Sequence, residues 1–147
     1  MYLSKILIAT RETESYKKAE AGAMVSLNNT FVGREGIPSD RHFGYDANRS
    51  VTLIFVNDLP EFVSPESLRR NLIIVGGNSR MFENKFFRIN NCVFKFWSFC
   101  PPCGHINRVT GQNITAFLTP EQCGIYCSVV CNGQININDE VNIIQSK

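Results

Sequence analysis

The stretch "CGIYCSVVCNGQININDEVNII", residues 123–144, decides the fold class. Its first nine residues and its last five (140–144) are β-branched and apolar runs of strand length, and "NG" at 132–133 lies between them. Such a dipeptide after a β-prone run predicts a hairpin. The same texture continues outward. "KILIA" (5–9), "SVTLIFV" (50–56), "NLIIVG" (71–76), "KFFRI" (85–89) and "CVFKFWS" (92–98) also read as strands. Turn signals separate them at "NN" 28–29, "GG" 76–77 and "NN" 90–91. Helix signals are sparse. "SPESLRR" (64–70) offers Ser64 as N-cap and Pro65 at the first position, for one or two turns. "ESYKKAEAG" (14–22) reads as another short helix ended by Gly22. Many short strands with close turns predict a mostly-β barrel or sandwich with a few short helices.

At 147 residues, the chain is read as one domain, 1–147, with an ordinary 44% apolar and 19% charged residues. A net charge of +2 does not point to nucleic acid. No run approaches the roughly 20 apolar residues of a membrane span. The start lacks a signal peptide's apolar region and cleavage site, so the expected setting is cytoplasmic with reduced thiols and no membrane partner. Arginine outnumbers lysine, and a planar guanidinium suits bidentate capture of phosphate or carboxylate. The segment 32–50, "VGREGIPSDRHFGYDANRS", is long and polar for a connection and carries Asp40, Arg41, His42 and Arg49.

"SFCPPCGHINRVTG" (98–111) concentrates the chemistry. Cys100 and Cys103 have a zinc-knuckle spacing, and nineteen residues separate Cys103 from Cys123. Cys123, Cys127 and Cys131 share strand parity, however, and at about 3.3 Å per residue they cannot all reach one tetrahedral ion. They read instead as small buried side chains on one face. A thioredoxin-like pair wants a strand–helix–strand setting, which is missing. The third reading is a single metal-binding thiolate at Cys103. Pro101 and Pro102 fix the backbone before it, and His105, Asn107, Arg108 and Thr110 follow.

The order "GIPSDRHFG", "SVTLI", "LRRNLIIVGG", "FFRINNCVF", "CPPCGHINRVTG", "GIYCSVVCNGQININDEV" resembles the MOSC domain over residues 3 to 144. This is the domain at the C-terminus of molybdenum-cofactor sulfurases, found also in amidoxime-reducing enzymes and small stand-alone proteins. The resemblance implies a β-barrel-like fold that binds molybdenum cofactor (molybdopterin type), a pterin dithiolene with a terminal phosphate. It implies Cys103 as the catalytic thiol and molybdenum ligand, with Gly111 at the expected distance, and Cys100 as a cysteine found in some branches. Arg69, Arg70 and Asn71 match the family's Arg-x-Asn element, whose arginine grips the cofactor's anionic end. Asp40, Arg41 and His42 match its Gly-Asp-Arg-His element. Three positions depart from the pattern: Ser39 and Asn138 where glycine is usual, and Gln122 where arginine is usual.

Independent chemistry agrees: a phosphate suits a guanidinium fork, a pterin edge suits an amide, and molybdenum suits sulfur. Arg69 and Arg70 could equally cap the short helix, and Asn71 could simply start a strand. The resemblance implies an oxidoreductase acting on N-hydroxylated compounds, or cofactor-sulfur handling. The chain carries no pyridoxal-phosphate domain or iron–sulfur domain. A reductase would therefore need an external electron-donor protein as partner, beside a small-molecule substrate. The alternatives are a carrier that works with a cofactor-biosynthesis protein, and a zinc-stabilised β-domain.

Overall fold

The structure, a computed structural model, describes residues 1–10, 24–102, 107 and 113–144. The expected helix at 14–22 lies outside these residues. The strands are β1 (Tyr2–Ile8), β2 (Val25–Leu27), β3 (Asn29–Val32), β4 (Val51–Phe55), β5 (Leu72–Val75), β6 (Phe86–Ile89), β7 (Cys92–Phe99), β8 (Ile125–Cys131), β9 (Gly133–Asn136) and β10 (Val141–Ile144). Eight form one sheet in the order β10-β6-β7-β8-β4-β5-β1-β2, and β3 pairs with β9 in a second. Among the described strands only β4 and β5 pair in parallel, joined by an irregular crossover. The helical elements that lie wholly within the described residues are 3-10 turns of three or four residues.

The protein is thus mostly β, as its short apolar runs predict. The ladder leaves β10 and β2 as its two ends. It curls until Tyr2 bridges Glu140, with Leu3 N–H bonded to Asp139 O at 2.9 Å and Val141 N–H to Met1 O at 3.0 Å. The result is a loose, incompletely closed barrel. Among the described residues no helix is long and apolar enough to cross a membrane.

The central strands are buried on both faces. Ile6, Leu53, Phe55, Leu72 and Ile74 point into the larger core. Their neighbours Leu7, Ile54 and Ile73 point into a second cluster with Val63, Leu68 and Cys100. Two-sided burial explains why "LIF" and "LIIV" are unbroken apolar runs rather than alternating ones. Within the larger core Phe55, Phe82, Phe87 and Phe94 form a chain of rings with centroids 4.8–5.0 Å apart.

Three local expectations are corrected. "NG" at 132–133 does not make a hairpin of β8 with its successor, because β9 leaves that sheet to pair with β3. Gly133 serves close approach instead: a Cβ there would lie 2.7 Å from Cys92 N. The tight hairpin is at 90–91, where Asn90 adopts φ 52° between paired Ile89 and Cys92. Cys123, Cys127 and Cys131 do not share one buried face. Cys123 closes the 3-10 turn Pro120–Cys123, ahead of β8, and Cys131 is exposed. A register shift opposite the end of β8, between Val93 and Phe94, breaks the alternation there. Finally, "SPESLRR" forms the expected short turn, Pro65–Leu68, with Ser64 in the N-cap position and Pro65 first, but the turn is 3-10 and the Ser64 hydroxyl donates to Glu66 instead of capping a backbone N–H.

Gly124 links the short turn to β8 at φ 94°, ψ −169°, a region open essentially to glycine. A Cβ there would collide with the carbonyl oxygen of Leu53. Gly124→Ala is expected to lower the unfolding free energy by about 3 kcal/mol, read from urea denaturation.

Candidate functional site

A cleft of about 410 Å³ opens where the 32–50 loop meets the starts of β4 and β5. Asp40, Arg41, His42, Arg69, Arg70 and Asn71 all line it.

The loop tip is stitched to the end of β1. Ser39 sits at φ 70°, a left-handed position that explains why glycine is usual there. The turn buries Asp40, whose carboxylate accepts the N–H of Ala9 at 2.9 Å and of His42 at 3.3 Å. Arg41 N–H in turn donates to Ala9 O at 2.6 Å. Asp40 is therefore a positioning residue that presents Arg41 and His42. The His42 Nδ1 lies 4.0 Å from the Asp40 carboxylate, and its ring meets Tyr45 edge-on.

The opposite wall comes from the corner before β5. Arg69 adopts the left-handed conformation, φ 57° and ψ 41°, immediately after the Pro65–Leu68 turn. That turn is braced by Lys5, which pairs with Glu66 at 2.5 Å. Lys5 and the Ser64 hydroxyl hold the Glu66 carboxyl down at about 2. Arg70 is anchored through its Nε, which donates to Cys123 O at 2.9 Å. That single bond leaves the Nη side of the fork for another acceptor. Asn71 is buried, and its Oδ1 accepts from both the N–H and the hydroxyl of Thr52 at 3.1 Å. Its Nδ2 donates to Leu7 O at 3.1 Å. The amide that the sequence offers as a pterin reader thus ties strands together, with one N–H left over.

The described structure adds groups that sequence reasoning did not single out as binding residues. Arg49, visible in the loop's charge pattern, lines the cleft with its Nε 3.0 Å from Asp46 and its guanidinium 5.4 Å from the Tyr126 ring centroid. The Asn48 N–H, then Arg49, lower the Asp46 pKa. Ser50, Tyr45 and Tyr126 also line the cleft, and nothing in their sequence context distinguishes them.

With the geometry in place, the comparisons decide the family. The model of the MOSC domain matches residues 47–142. The chain belongs to the MOSC domain family. No curated protein matches it. Among solved structures, the YuaD protein of Bacillus subtilis is similar over 99% of this chain and 96% of its own, at TM-score 0.79 and 16% identity. YiiM of Escherichia coli is similar over 100% of this chain and 71% of its own, at TM-score 0.66 and 14% identity. YiiM of Geobacillus stearothermophilus covers 97% of this chain and 75% of its own, at TM-score 0.70 and 9% identity. At such identities the likeness is one of fold.

In this MOSC domain, Arg69, Arg70 and Asn71 lie within the matched span, whereas Asp40, Arg41 and His42 precede it. The two other departures are structural. Asn138 takes φ 73° beside β1, a position that asparagine tolerates. Gln122 faces away from the cleft, accepting the Thr119 N–H at 2.9 Å and donating to Asp58 O at 3.1 Å.

Cys103, His105, Arg108, Thr110 and Gly111 lie outside the described residues; Pro101, two residues before Cys103, lines the cleft. Among the described residues no three His, Cys, Asp or Glu side chains are grouped to hold a metal. Cys100 is fully buried in the second apolar cluster, and burial pushes its thiol up to about 11. Burial likewise lifts Cys92 to about 12 and raises Cys123 and Cys127. Burial thus favours the neutral thiol at all four.

Native-state alkylation at pH 8 is expected to label Cys131 and to spare Cys92, Cys100, Cys123 and Cys127, as read by peptide mass spectrometry. The raised thiols also fix a pH trend. Above their ordinary value of 9.0 the unfolded chain releases protons that the folded chain keeps. Their contribution is full below that pH and is lost as pH climbs toward the folded values. The denaturation midpoint should therefore fall between pH 9 and 11, a window taken from Cys100.

Proposed function

We propose that this MOSC domain binds molybdenum cofactor in the cleft and works as a cytoplasmic oxidoreductase component on small N-hydroxylated compounds. The observation that carries the reading is the wall of four guanidiniums, Arg41, Arg49, Arg69 and Arg70, around one cleft. Of the two carboxylates that the described residues place there, Asp40 is engaged by backbone N–H groups and Asp46 by Asn48 N–H and Arg49. The donor set suits a phosphate-bearing ligand, and the volume falls within the range of small-molecule sites.

In this reading Arg69 and Arg70 hold the anionic end, and Arg41 and His42 close the cleft from the loop side. Cys103 would supply the thiolate that holds molybdenum. The bound group supplies metal-centred redox or sulfur chemistry. The half-exposed His42 imidazole stands at the mouth, where it can pass a proton between solvent and a bound substrate. Electrons come from an external donor protein. The zinc-knuckle alternative asks Cys100 to ionise inside an apolar cluster, which its raised pKa opposes.

The test is molybdenum and pterin per chain in protein made in a cofactor-competent host. Cys103→Ser is expected to lose the metal and keep the fold, and Cys100→Ser to keep the metal with some loss of stability. The reverse pattern would overturn the assignment, and zinc lost by both would establish the knuckle. Arg69→Ala should weaken cofactor retention by about 1.5–3 kcal/mol, the worth of a charge-assisted bond. Bound cofactor without turnover of an N-hydroxylated base and a reduced donor would identify a carrier.

A further inference from the structure

Four polar residues of the described structure are buried: Asp40, Ser50, Asn71 and Ser79. Three of them line the cleft, and Ser79 lies elsewhere. Asp40 and Asn71 are bonded by backbone and by Thr52, as set out above. Ser79 donates its hydroxyl to Glu121 O at 2.7 Å. Ser50 differs. It is 3% exposed, and its Oγ finds no hydrogen-bond partner among the described residues. A buried hydroxyl without a partner is costly, and native proteins rarely keep one without a use.

The surroundings hold Ser50 in place. Gly36, at φ 108°, packs its backbone so close that a Cβ would lie 2.6 Å from Ser50 O. Ser50 also caps the short turn that carries Arg49, so hydroxyl and guanidinium belong to consecutive residues of the same wall. A hydroxyl can donate to an anionic oxygen, and the arginine-lined cleft selects anions.

We infer that Ser50 is a ligand-binding residue whose hydroxyl donates to an oxyanion of the phosphate class, the anion supplying the partner that the described residues do not. The inference rests on the cofactor reading for its preferred source, the cofactor's phosphate, and free phosphate has the same chemistry. Ser50 gives the cleft a neutral donor beside its cations, and with it a geometric preference that charge alone does not impose.

The test compares the wild-type chain with Ser50→Ala and Thr52→Val. Three quantities are read: melting temperature without ligand, affinity for inorganic phosphate by calorimetry, and pterin retained per chain. Removing an unpartnered hydroxyl should leave the melting temperature unchanged or higher, while weakening phosphate binding about tenfold or more and reducing retained pterin. Thr52→Val should lower the melting temperature, because the Thr52 hydroxyl both donates to and accepts from Asn71. Weaker phosphate binding with unchanged pterin would support Ser50 as a donor and make free phosphate its ligand. Wild-type binding of phosphate and pterin by Ser50→Ala would overturn the inference and leave the cofactor reading standing. So would a clear drop in its ligand-free melting temperature, the mark of an internal partner. A wild-type chain that binds neither would overturn both.

Discussion

The carboxamide of Asn71 is the joint on which the cleft is built. It is buried where β1, β4 and β5 meet, and it bonds to a neighbour on each side. Its backbone takes part as well: the Asn71 N–H donates to the Thr52 hydroxyl, and its carbonyl accepts from Leu7 N–H at 2.7 Å. Parallel strands cannot be joined by a tight turn, so β4 and β5 depend on a long crossover to bring them side by side. A side chain bonded to both flanking strands sets their alignment at the end where the cleft opens. Burial makes this joint demanding, because a buried group stripped of its partner costs more than the bond contributes net.

The cleft's charge follows from that placement. Arg69 and Arg70 immediately precede Asn71, and the left-handed turn at Arg69 sends consecutive side chains to the same wall. Across from them, the Asp40 carboxylate holds the loop tip against Ala9. Among the described residues the two carboxylates organise the scaffold, Asp40 through backbone N–H groups and Asp46 through Asn48 N–H and Arg49, and four guanidiniums line the cleft. This division of labour matches a site for an anion more closely than a metal cage built from side chains, which would need its carboxylates turned inward.

The cysteines show the same separation of roles. Cys100 and Cys103 are three residues apart, yet Cys100 belongs to a core. It packs with Leu7, Ile54 and Leu68 beneath the cleft, and its backbone N–H is bonded to Gly124 O at 2.8 Å. A thiol so placed is held neutral by desolvation, so it serves packing.

The sequence alone determined the strands with long apolar runs, such as "TLIF" and "LIIV", because a run buried on both faces carries its own signal. It also marked the turn at Asn90 and the long polar loop 32–50, each a local matter of residue type, while the resemblance to the family marked Ser39, Asn138 and the corner at Arg69–Asn71. Only tertiary structure decided the rest. The strands "VSL", "NTFV" and "GQIN" are short and half exposed, so their pairing partners, not their composition, make them strands. The role of "NG" depended on Cys92, some forty residues away. Asn71 became a joint, and Ser50 a hydroxyl without a partner among the described residues, through what the fold placed around them. Hydrogen-bond satisfaction is a property of neighbours in space, and residue identity along the chain carries no record of it.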